Sequence, residues 1–85
     1  MIVTKSQLKA HEGGGPVTLR QLRESRLLSQ NDLAVAVGVL QTTVSNWERG
    51  EQRPQFAQLR KLAEFFKLNP QELQQVIEET MAKKS

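Results

Sequence analysis

At 85 residues, with 38% hydrophobic and 25% charged side chains, the chain has room for one domain with a modest core and none for a separate catalytic or ligand-sensing domain. The net charge of +3 favours a polyanionic partner without requiring one, and the lack of cysteine excludes a disulfide framework and points to a reducing cytoplasm. No apolar run approaches the ~20 residues that span a bilayer, and the first residues lack the apolar block of a secretory signal, so no membrane partner is expected.

Gly13, Gly14 and Gly15 followed by Pro16 break any element before them. A helix over Thr4 to Glu12 would have only Leu8 as a large apolar anchor, too little to dock it, so residues 1–17 read as a flexible N-terminal arm. From Thr18 onward helix start and stop signals recur, and the alternating runs and turn pairs of hairpins are missing. This predicts an all-α fold, a compact five-helix bundle over residues 18–82, with a short C-terminal tail at 83–85.

Thr18 and Gln21 form a capping-box pattern that opens a first helix with Leu19, Leu22 and Leu27 facing inward. Ser29 caps a short second helix with Leu33, Ala34 and Val37 inside, and Gly38 supplies the left-handed residue that ends it. A third helix runs from about Gln41 to Arg49 and stops at Gly50. The fourth, near Phe56 to Lys67, places Phe56, Leu59, Leu62, Ala63 and Phe66 on one stripe. Phe65 lies off that stripe, either exposed and sticky or packed against the fifth helix. Asn69, Pro70 and Glu72 open the fifth helix, with Leu73, Val76 and Ile77 inside.

The second and third helices are joined by only a few residues around Gly38 and Val39, too tight for antiparallel packing, so they must cross. Such a pair presents its second helix outward, and a helix fits the DNA major groove. At about 100° per residue, Leu40, Val44 and Trp47 fall together, while Gln41, Thr42, Ser45, Asn46 and Arg49 share a separate arc of roughly 140°. That arc carries amides, hydroxyls and a guanidinium that can bond base edges, and no carboxylate that phosphates would repel. Glu48 lies off the arc, toward the protein. Trp47 reads as core because it shares the Val44 stripe.

Leu22-Arg23, Leu28-Ser29-Gln30, Leu33-Ala34, Gly38-Val39, Val44-Ser45, Trp47-Glu48, Gly50 and Pro54 together resemble the helix-turn-helix family of lambda Cro and the lambda-type (XRE-like) repressors. The resemblance covers about Leu19 to Leu73. It implies that residues 18–82 are a helix-turn-helix DNA-binding domain of a transcriptional regulator, a repressor by type. Gln30 matches a glutamine that bonds a DNA phosphate and braces the recognition helix. Gln41, Thr42, Ser45 and Asn46 match positions that face bases, and Arg49 and Arg53 match positions near the DNA backbone. Arg23 and Glu48 match an intramolecular ion pair. The chain departs from the family at Leu40, where a serine or threonine usually caps the recognition helix, and at Glu51, in a loop often basic in relatives.

One recognition helix spans only about four or five base pairs, so a homodimer on a palindromic double-stranded operator is expected. The resemblance places its dimer surface on the fourth and fifth helices. The competing reading is a protein-binding module, since similar stand-alone domains include antitoxins that bind a toxin and adaptors that engage transcription machinery. Enzymatic chemistry is not expected: the single histidine, His11, sits in the arm with no cysteine or paired carboxylates beside it. The three glycines lack the lysine and hydroxyl of a phosphate loop, and no ligand set has workable metal spacing, so neither cofactor nor metal is expected.

Overall fold

The computed structural model describes residues 17–83. The arm expected at 1–17 therefore lies outside the described residues except for Val17, and the tail expected at 83–85 except for Lys83. The described chain forms five helices and no strand: α1 Leu19–Ser25, α2 Gln30–Val37, α3 Gln41–Glu48, α4 Phe56–Phe66 and α5 Pro70–Ala82.

Local side-chain chemistry sets most helix starts. Thr18, Ser29 and Asn69 each accept the backbone N–H three residues on, while Gln21, Asp32 and Glu72 return a bond to the cap N–H. The Ser29 backbone N–H, aided by its hydroxyl, holds the Asp32 carboxyl below its ordinary value of 3.8. Because the folded value is lowered, this support of α2 is complete above 3.8 and is lost as pH falls through the folded value. Leu40 opens α3 with no side-chain cap bond, as its side chain dictates. Its extended backbone takes it off the helical period, so it does not join the Val44 and Trp47 stripe and is 71% exposed.

Four helices end in the same turn. A left-handed residue stands at Leu27, Gly38, Gly50 and Lys67, and the next N–H reaches back to the carbonyls of Arg23, Ala34, Asn46 and Ala63 respectively. The turn at Leu27 corrects the expectation that this leucine faces inward: α1 has ended at Ser25, and the side chain is 92% exposed. A left-handed non-glycine residue costs about 1–2 kcal/mol, partly offset by the freedom glycine loses on folding. Lys67→Gly is therefore expected to raise stability by about 1 kcal/mol, read as a higher urea midpoint. An unchanged or lower midpoint would contradict the strain at this turn.

The core gathers Leu19 of α1, Leu33, Ala34 and Val37 of α2, Val44 and Trp47 of α3, Leu62 and Phe66 of α4, and Leu73, Val76 and Ile77 of α5. Leu22 and Leu59, expected inside, pack at its edge. Phe56 leaves the stripe expected for α4 and is 78% exposed, because the first turn of α4 borders an open groove between α4 and α5. Phe65 is half-buried, set edge-on against Phe66 with ring centroids 5.0 Å apart.

α3 rests on α1, α2 and α5, and α1 is fastened to α5 by a bond between residues far apart in the chain. The buried Thr80 hydroxyl accepts the Leu19 N–H at 2.8 Å and donates to the Val76 carbonyl at 2.7 Å. It satisfies one of the orphan donors at the start of α1. Thr80→Val keeps the shape and strands that donor, so a loss of about 1–3 kcal/mol is expected in urea denaturation. A variant as stable as the parent would mean that Leu19 N–H finds water.

Candidate nucleic-acid interface

The interface begins with three residues, Gly38, Val39 and Leu40, which alone separate α2 from α3. Gly38 adopts φ 75°, a conformation open to glycine at no steric cost, and Val39 N–H closes the turn on the Ala34 carbonyl. With Val44 and Trp47 buried, the helical period turns the opposite side of α3 to solvent. Gln41 and Thr42 are exposed there, Ser45 and Asn46 partly exposed, and Arg49 stands exposed one residue beyond the helix end.

The one carboxylate of α3 is turned away from this face. Glu48 receives Arg23 Nε at 2.6 Å and Nη2 at 3.1 Å, and Gln30 Nε2 at 3.1 Å. Its side chain is 4% exposed and that of Arg23 10%. The hydrogen bond from Arg23 to Glu48 raises the guanidinium further within its already basic range, against the opposing effect of burial. Arg23 Nη1 also donates to the Leu28 carbonyl at 2.8 Å. One carboxylate thus joins α1, the start of α2 and the end of α3, and the expected ion pair is formed. Among the described residues no buried side-chain polar atom lacks a partner.

The residues expected near the DNA backbone sit in different surroundings. Gln30 is partly buried beneath Glu48. Arg49 shares the exposed face of α3, where it donates to Ser45 Oγ, Asn46 Oδ1 and Glu51. Arg53 lies in the following loop and pairs with Glu78 of α5. Sequence reasoning missed Glu51 as a partner of Arg49, Gln52 as the acceptor of Asn46 Nδ2, and Glu78 as a partner of Arg53. Glu51 and Gln52 stand close to Arg49 in the chain and so were within reach of inspection. No local signal couples Arg53 to a residue 25 positions away.

Two short helices joined through a glycine turn, the second anchored by its apolar edge and presenting a polar, carboxylate-free face, define a helix-turn-helix module. The helix-turn-helix family model matches residues 19–73, and the chain belongs to this family, of the Cro/C1 type. It is a DNA-binding domain of transcription regulation. No curated protein and no solved structure matches the chain significantly. Among the described residues no helix is long and apolar enough to cross a membrane.

Proposed function

We propose that the chain is a sequence-specific repressor that works in the cytoplasm, on the nucleoid, and lays α3 in the major groove of operator DNA as a homodimer. The observation that carries this reading is the outward polar face of α3 combined with the burial of Glu48, which removes the only α3 charge that phosphates would repel. Gln41, Thr42, Ser45 and Asn46 meet base edges. Gln30, Arg49 and Arg53 approach the sugar-phosphate backbone, Gln30 through the part of its amide that Glu48 leaves free. The second copy joins through α4 and α5, where exposed Phe56 borders a largely apolar groove of about 620 Å³ that Leu59, Ala63, Leu68 and Leu73 also line.

Selection of bound sequences from a random DNA pool tests this directly. The expected result is a palindromic consensus with half-sites about 34 Å apart, one helical turn. The same groove would also suit a protein partner, a toxin or a component of the transcription machinery. A pool that yields no enriched sequence would transfer the lead to that reading.

A further inference from the structure

Asn46 is held from two sides before any DNA arrives. Arg49 Nη2 donates to Asn46 Oδ1 at 2.6 Å, and Asn46 Nδ2 donates to Gln52 Oε1 at 3.4 Å. Arg49 is itself spanned, since Nη1 reaches Ser45 Oγ and Nη2 also faces Glu51 at 3.3 Å. We infer that Arg49, steadied by Glu51, is a positioning residue that fixes which end of the Asn46 amide is donor and which is acceptor, and so sets the base that Asn46 reads. This rests on the reading of α3 as the element that meets bases.

The argument turns on hydrogen-bond inventory. A side-chain amide carries two acceptor lone pairs on oxygen and two hydrogens on nitrogen, and its ends are nearly the same shape. A guanidinium only donates, so whichever end of Asn46 faces Arg49 must be oxygen. The longer bond to Gln52 agrees with that orientation and adds less. Together they use one lone pair and one hydrogen and leave one of each on a partly exposed amide. One acceptor and one donor side by side are what adenine takes on its major-groove edge. An amide free to turn over would present either order and would pay orientational entropy on binding. Ser45, bound to the same guanidinium, keeps its own hydroxyl hydrogen for a neighbouring acceptor.

Arg49→Lys separates this role from that of a phosphate contact. It keeps the charge, but a compact ammonium cannot span Ser45, Asn46 and Glu51 as the planar fork does. The experiment measures affinities of the full chain for its selected operator and for operators substituted one base pair at a time, with scrambled DNA alongside at several salt concentrations. Asn46→Ala identifies the base pair that Asn46 reads, expected to carry adenine. Arg49→Lys is expected to lower discrimination at that same pair about tenfold, within the range a bidentate base contact supplies, and to lower it much less elsewhere. Gln52→Ala is expected to lower it a few-fold. Circular dichroism of each variant verifies that the helices persist. If Arg49→Lys weakens all sequences evenly and leaves discrimination at that pair intact, Arg49 is a backbone contact only and the inference is overturned. A parent protein without base preference would instead overturn the reading of α3 itself, and the positioning role with it.

Discussion

Arg23→Ala is expected to destabilise the domain by about 3 kcal/mol, the largest single loss among its polar contacts, because it leaves the Glu48 carboxylate buried without its cation. Of three donors on that carboxylate, only Gln30 Nε2 would remain. The Leu28 carbonyl loses its bond from Arg23 as well. For a domain of this size the melting temperature is expected to fall by roughly 10 °C or more. A shift of only one or two degrees would mean that water reaches Glu48 and the pair contributes little.

The double substitution Arg23→Met with Glu48→Leu is expected to cost less than Arg23→Ala alone. Desolvating two charges consumes much of what their attraction returns, so apolar side chains of similar volume can replace a buried pair near neutrality. What they cannot replace is direction. The carboxylate receives donors from α1 and α2 at defined angles and belongs to the last residue of α3, next to Arg49. The double variant is therefore expected to fold while losing discrimination between operator and scrambled DNA, because its reading helix is free to tilt. Urea denaturation and operator binding, measured on the same samples, separate the two effects.

How much of this was legible in the sequence follows from the range of each interaction. The caps Thr18, Ser29 and Asn69 act within three residues, and Gly38 and Gly50 announce left-handed turns by composition. Leu27 and Lys67 make the same turn with no compositional sign, which is why Leu27 was expected inside. Leu40 misled for a related reason: helical period was extended one residue too far, onto an extended cap. The Thr80 hydroxyl and the Leu19 N–H are 61 residues apart, and nothing local distinguishes Thr80 from a solvated helix threonine. Periodicity did expose the polar face of α3. Periodicity also turned Glu48 off that face, toward the protein, but its pairing with Arg23 needed the resemblance, because the spacing of 25 residues carries no local signal. The engagement of Arg53 by Glu78 was visible only once the loop after α3 and the surface of α5 were placed together, whereas Glu51 stands two residues from Arg49 in the chain.

The proposed reading of DNA is expected to split the interface side chains into two classes with opposite signatures. Gln41→Ala is expected to cost roughly 1–3 kcal/mol on the selected operator and to relax preference at one base pair, leaving scrambled DNA bound nearly as before. Arg53→Ala is expected to weaken binding to every sequence and to reduce the slope of log affinity against log salt by about 1, since one phosphate contact and its counterion release are lost. Gln30→Ala belongs to the second class in its evenness across sequences, without the change in slope, because its amide is neutral. The pairing of Arg53 with Glu78 supplies a control of opposite sign. To meet a phosphate, Arg53 must first leave that carboxylate, and exposed ion pairs are worth about 0–1 kcal/mol. Glu78→Gln removes the competitor and is expected to tighten binding to operator and scrambled DNA alike, by up to about fivefold, most visibly at low salt where the charge it deletes is least screened. If Glu78→Gln changes nothing while Arg53→Ala still weakens binding, Arg53 reaches phosphate without first giving up its partner. If neither substitution alters affinity, the loop after α3 lies clear of the DNA, and the backbone contacts must be sought on α2 and at Arg49.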